Sequence, residues 1–346
     1  VIYARPSLFG VWYHFNRRRL RKSFCGGQSV PSFLGRAVKT FAICKRLCLV
    51  CFALAVIHTP DEAWAQFNDA RAYVNTPIGL NQLELGYAYV HANASIDSSV
   101  IVTGAKLNLN QASINYTRYF GLLHRLAWVQ IGAPVANLGG SIAGTNIKSS
   151  VSGIGDSSYQ MAVLLKGGPA LNASQFENYK PGTTVGTSVT ITAPTGLYRP
   201  DKILNLGADR WSFKPEIALS YPFGPDQKWE LDAYGNVFFY TDNTSYRGRQ
   251  ILQQEPLPGL EGHLSYSFTD TIWASIDSRY SLRGTTLLNG LNQNNSQQNV
   301  IVGSEMNVSF TANHSLTLVF AKALVHQNGP TVVGFSVRYL YTWGKQ

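Results

Sequence analysis

Glu230 and Asp232 are the residues of this chain that most resemble catalytic equipment. Two carboxylates can divide acid and base duties across a hydrolysed bond. Here they stand two apart in Trp229-Glu230-Leu231-Asp232-Ala233, a run that alternates apolar and polar. Residues two apart on a strand share a face, so both point the same way. That spacing suits structural pairing better than hydrolysis. His91, His124, His263, His314 and His326 are scattered without metal-ligand spacing. The sequence has no G-x-S-x-G and no Walker-type loop, and Gly153-Ile154-Gly155-Asp156 is too short for a nucleotide fingerprint. No catalytic residue, metal or cofactor is assigned. Serine, histidine and acidic residues are plentiful enough to keep a lipid-acting enzyme as an alternative.

The same parity recurs along the chain. Lys214 and Glu216, Glu230 and Asp232, Glu261 and His263, and Asp277 and Arg279 lie on consecutive candidate strands. Opposed residues in an antiparallel ladder can pair. The set reads either as a salt-bridge network that fills a narrow interior or as a polar lining that selects what passes. In both cases interior charges require partners or water.

The elements that would position these charges are strands. From Thr331 to Trp343, Val333, Phe335, Val337, Tyr339, Tyr341 and Trp343 face one way, and Gly334, Ser336, Arg338 and Thr342 the other. A period of two excludes a helix. An unbroken apolar face ending in aromatics, opposite a charged one, is the pattern of a strand with lipid outside and polar groups inside. Twelve such candidates fall near 82–93, 107–119, 123–133, 155–167, 183–194, 211–222, 228–241, 259–269, 271–283, 298–310, 314–324 and 331–343. Most have the ten or so residues that a tilted strand needs to cross a bilayer. The fold class expected is all-β, an antiparallel transmembrane barrel of about 12 strands. A soluble sandwich is the competing arrangement.

Short connections (Thr269-Asp270, 311–313) and long polar ones (139–153, 243–258, 284–297) alternate weakly. Short turns would face the periplasm and long loops the exterior. The long segment 168–182 breaks that rule, and residues 66–80 read as an extended lead-in with a turn at Pro77-Ile78-Gly79.

The chain carries +10, but residues 1–65 hold ten basic and two acidic groups and so account for +8 of it. The remainder is nearly balanced, which argues against a nucleic-acid partner. Lys45-Arg46, an apolar run Leu47–Ile57 and Ala63-Trp64-Ala65 form a secretory signal with cleavage before Gln66. The run is too short for a membrane helix. The stretch before Val38 exceeds an ordinary n-region, which fits an over-extended reading frame. Residues 1–65 are therefore expected to be a removed leader and 66–346 the barrel domain. All four cysteines (Cys25, Cys44, Cys48, Cys51) lie in the leader, so no disulfide framework is expected.

The run from Thr192 through Ala193-Pro194-Thr195-Gly196-Leu197-Tyr198-Arg199-Pro200-Asp201-Lys202, then Asn205-Leu206-Gly207 and Arg210-Trp211-Ser212-Phe213-Lys214-Pro215-Glu216, resembles the central signature of the meta-pathway phenol-degradation outer-membrane proteins. Gly155-Asp156, Thr241-Asp242-Asn243, Gln254-Glu255-Pro256 and the ending Arg338–Trp343 are similar as well. The resemblance spans most of 75–343. It implies a barrel in the bacterial outer membrane that takes up aromatic or other hydrophobic compounds, with the bilayer, a small solute and the outer-membrane assembly machinery as partners. One departure is that Gly344-Lys345-Gln346 follow the final aromatic, Trp343. A structural or adhesive barrel is a further alternative.

Within the signature, Pro194, Gly196, Tyr198, Asp201, Asn205, Arg210 and Trp211 mark an irregular loop leading into a strand. Asp201, Lys202, Asp209 and Arg210 are its candidate ties to the wall. The loop would either fold inward and constrict a pore or remain a surface turn.

Overall fold

The computed structural model describes residues 68–93, 105–142, 148–202, 204–327 and 331–344. The expected leader lies outside the described residues. The strands are β1 (Leu80–Ala92), β2 (Ala105–Leu122), β3 (Arg125–Ile142), β4 (Lys148–Ile154), β5 (Ser157–Lys166), β6 (Thr184–Ala193), β7 (Ser212–Phe223) and β8 (Trp229–Tyr240), then β9 (Asn243–Tyr246), β10 (Gln250–Gln254), β11 (Leu257–Thr269), β12 (Ile272–Arg283), β13 (Thr286–Leu288), β14 (Leu291–Asn292), β15 (Gln297–Ser309), β16 (His314–Gln327) and β17 (Val332–Gly344). A single helical turn, α1 (Ala173–Phe176), stands apart.

Every wall pairing is antiparallel, and β1 pairs with both β2 and β17, so the sheet closes. Both β4 and β5 pair with β3, at successive positions, and form one interrupted wall strand, which makes a barrel of twelve. Closure leaves no free edge, the condition for backbone to stand in lipid.

Alternation sorts the side chains. In β8 Glu230, Asp232, Tyr234 and Asn236 are buried, whereas Trp229 and Leu231 are exposed. In β12 Asp277 and Arg279 are buried and Ile276 is 72% exposed. An apolar residue that exposed on a closed wall faces lipid. Aromatic contacts gather on this face near the short-turn end: Tyr341 stacks on Trp343, and Trp229 meets Tyr266.

The expected strands fall on the wall, with differences in the first half. The expected 123–133 strand runs on to Ile142, and most of the expected loop 139–153 is a paired extension of β3 and β4. The long loops 243–258 and 284–297 contain β9, β10, β13 and β14, which form a separate four-stranded sheet over that end. Hydrogen bonding favoured these additions although apolar alternation did not mark them. Segment 167–183 does sit at the short-turn end, and its length has a use described below.

Candidate functional site

The lead-in is not outside the barrel. Asn68–Gly79 lies within the lumen. At the short-turn end Ile78 donates to the Leu171 carbonyl (2.9 Å) and Gly79 to that of Tyr119 (3.0 Å). The 167–183 loop brackets this end: Leu126 donates to Gly168 O at 2.9 Å and Asn75 Nδ2 to Pro169 O at 3.3 Å. Thr184 Oγ1 adds a bond to the Tyr73 carbonyl at 2.8 Å. A reciprocal capping box between Asn172 and Gln175 fixes α1 within the loop. Burial pushes the Tyr179 phenol above its usual pKa, and it donates to Gly167 O.

The segment ends among the inward charges, and its polar groups match them one by one. Asn68 donates from its backbone to Glu261 (2.7 Å) and from Nδ2 to Glu216 (2.5 Å), and accepts from Lys214 (3.1 Å). Ala70 N donates to Glu305 at 3.3 Å. Arg71 N donates to Asp232 at 2.9 Å, and its guanidinium lies 3.6 Å from Glu230 while donating to Ser265 and Ser267. Arg71 thus engages both Glu230 and Asp232. The Tyr73 hydroxyl donates to Glu216 at 2.7 Å.

The other expected interior charges pair with one another. Lys214 lies 3.2 Å from Glu216, His263 Nδ1 2.8 Å from Asp277, and Arg279 pairs with Glu261. All eight expected lumen residues are buried within the barrel. Glu84, Glu305 and Arg338 from the wall and Asp69 and Arg71 from the segment complete the layer. Arg338 stands 2.8 Å from Asp69 and 3.5 Å from Glu305, and Asn115 donates to Glu84 at 2.8 Å. The signal for a missing partner was in the sequence. Seven wall carboxylates face inward but only three Lys or Arg and one His accompany them in this layer, among the described residues, and the cationic residues on the strands beside β8, Lys214 and His263, pair with Glu216 and Asp277.

Two apolar layers flank the ionic one, a departure from the uniformly polar interior expected. At the short-turn end Tyr73 packs among Trp128, Tyr234, Leu126 and Leu164. At the long-loop end Val90, Leu107, Leu109, Leu138, Ala321 and Val332 make an apolar inner wall.

The signature loop 194–211 folds onto that wall, with Leu204 and Leu206 packed against it. Its principal tie is Asp156, whose carboxylate accepts from Gly196 N and Ala208 N, both at 2.8 Å. A Cβ on Gly196 would come within 2.8 Å of the Asp156 backbone, so that close approach requires glycine. Asn205 accepts from Arg199 N (2.7 Å) and donates to the carbonyls of Arg199 and Lys202. Arg210 donates to Gln254 (2.6 Å) and lies over the Tyr240 ring, and Trp211 N donates to Thr241. Pro194 and Tyr198 are half-buried in the turn. Asp201 and Lys202 pair with each other at the surface, and that hydrogen bond holds the Asp201 carboxyl below its usual pKa.

The family described as "Putative MetA-pathway of phenol degradation" matches residues 68–339. The COG4313 outer membrane channel from Pseudomonas putida F1 has a similar structure, at 22% identity and TM-score 0.68 over 80% of this chain and 99% of that one. The β domain of the Bordetella autotransporter BrkA follows at 10% and 0.46, over 77% and 100%. The transport unit of the autotransporter AIDA-I from Escherichia coli stands at 9% and 0.44, over 81% and 93%. No curated protein matches the sequence.

Proposed function

The chain belongs to the family described as "Putative MetA-pathway of phenol degradation", and from that premise we propose that it is an outer-membrane channel for passive uptake of small hydrophobic or aromatic solutes. One observation carries the solute class. At the long-loop end the inner wall is apolar, with Val90, Leu107, Leu109 and Leu138, rather than charged. A path for ions or sugars would present polar groups there. An apolar wall gives an aromatic ring a surface to leave water for. The fold shared with an outer membrane channel supports the same reading.

The lumen-lining role belongs to Lys214, Glu216, Glu230, Asp232, Glu261, His263, Asp277 and Arg279, which bound the space now held by Asn68–Tyr73. Passage requires that this segment yield. It is held by side-chain bonds and not by a strand ladder, so it can move without opening the wall.

Planar-bilayer recording of refolded 66–346 tests the proposal. Phenol or benzoate should block ion current at concentrations where a sugar of similar size does not. Leu204→Asn with Leu206→Asn should weaken that block. A barrel that conducts but responds equally to ring and sugar would remove the solute assignment. A folded barrel that never conducts would remove the channel.

A further inference from the structure

The paired extension of β2, β3 and β4 carries a polar groove on its outer wall at the long-loop end. Strand register fixes its geometry. Lys106, Ser141 and Lys148 are direct partners across the three strands, and Asn108, Gly139 and Ser150 form the next row toward the membrane. Direct partners share a face, and the intervening Leu107 and Leu109 point inward, so both rows point outward. The groove they line measures about 420 Å³.

Every side-chain feature of the groove favours an anion. Neither lysine has an acidic partner among the described residues, and no carboxylate lines the groove. The two lysines lie two strand spacings apart, roughly 10 Å, so one anionic group or a pair can sit between them. The Asn108 side-chain oxygen accepts from Tyr89 (3.0 Å) and lies 2.8 Å from His91 Nδ1, so those two contacts do not use its amide NH₂, and Asn108 lines the groove. Gly139 leaves the floor open: a Cβ there would touch nothing within 4 Å.

The depth identifies the source of the anion. Tyr87, Ala112, Val135 and Ile154 form an apolar row on the same strands, and Tyr89, Asn110, Asn137 and Ser152 form the polar row above it. The lysines stand two rows above Tyr89. At the rise and tilt of a barrel strand that is roughly 10 Å farther along the membrane normal. This is headgroup depth, above the acyl chains. We propose that the groove holds the phosphorylated sugar headgroup of an outer-leaflet glycolipid, with Lys106 and Lys148 on its phosphates and the serine hydroxyls and Asn108 on its sugar oxygens. Ammonium–phosphate contacts of this kind are charge-assisted and survive partial exposure. The inference rests on the outer-membrane placement proposed above.

Native mass spectrometry of the refolded barrel with purified rough lipopolysaccharide tests it. The wild type should retain about one glycolipid per barrel as detergent is stripped. Lys106→Gln with Lys148→Gln should lower the retained fraction at least about tenfold. Glycolipid stripped of phosphate should behave with the wild type as intact glycolipid does with the variant. Equal retention by variant and wild type, or equal retention of the dephosphorylated lipid, overturns the site. Inorganic phosphate that displaces the glycolipid at matching concentration overturns the lipid assignment. Both lysines lie outside the lumen, so the variant should keep its heat-modifiable mobility and its conductance. Lost binding in a barrel that still conducts therefore separates this site from the channel reading.

Discussion

The Asp69 carboxylate and the Arg338 guanidinium stand 2.8 Å apart with 3% and 2% of their side chains exposed, one from the luminal segment and one from the last wall strand. A buried pair is weak evidence for stability as such, but removing one partner leaves an uncompensated charge at a cost of about 3–5 kcal/mol. Asp69→Asn should therefore unseat the segment more than it harms the wall, because Arg338 keeps Glu305 at 3.5 Å. The expected result is unchanged heat-modifiable mobility with frequent current bursts in planar bilayers. Bursts no more frequent than those of the wild type would mean that the pair does not hold the segment.

Removing the segment outright should give a larger effect. Refolded 76–346 lacks Asn68, Asp69 and Arg71 but keeps every wall strand. Single-channel conductance should rise severalfold over that of 66–346, and liposomes should swell with sugars that the longer form excludes. Equal conductance would show that the path runs elsewhere.

The wall was legible because lipid and lumen impose opposite chemistry on alternate residues, and β8, β11 and β12 display it without interruption. The luminal segment was not. Asn68-Asp69-Ala70-Arg71-Ala72-Tyr73 has no period, and its partners Glu261, Asp232 and Ser188 lie far along the chain. Only the excess of inward carboxylates hinted that a cation had to arrive from outside the wall. The apolar inner wall was hidden for another reason. Val90 and Leu107 face inward like the charges below them, so their apolar type does not tell the lumen from lipid. In the signature loop the prolines and glycines announced an irregular turn, but its tie is Asp156, some forty positions before Gly196 in sequence.

The Asp156 tie can be tested by itself. Hydrogen bonds to a charged acceptor contribute about 1.5–3 kcal/mol each, and Asp156 accepts two. Asp156→Ala should release the 194–211 loop while the barrel stays closed. Trypsin should then cut after Lys202 at least about tenfold faster than in the wild type. Unchanged cleavage would assign the loop's position to Leu204, Leu206 and Arg210 instead.

The outer face predicts a depth-dependent penalty. Val337 lies mid-strand on β17, between the buried Ser336 and Arg338. Val337→Arg sets a charge against lipid at a cost of about 2–4 kcal/mol and should lower the denaturant midpoint of refolding into bilayers. Val337→Leu should leave it unchanged. Equal midpoints for the two variants would contradict the assigned face.

The charge of the lumen should appear as ion preference once the segment is gone. In 76–346 Glu230 and Asp232 lose Arg71, the cation that engaged both. Asp69 leaves as well, so seven inward carboxylates remain in this layer, among the described residues, against Lys214, Arg279, Arg338 and His263. A narrow polar path with that excess should favour cations. Glu230→Gln with Asp232→Asn removes two negative charges without disturbing Glu261, which is bound to Arg279 and Asn236. In a salt gradient the reversal potential of the truncated double variant should move toward the anion side relative to truncated wild type. In the untruncated chain the same substitutions leave Arg71 with Ser265 and Ser267 but no carboxylate, and the expected result there is a less firmly seated segment. A reversal potential indifferent to both charges in the truncated form would place the conducting path away from β8 and against the neutral face of Gln82, Asn115, Thr117 and Gln130.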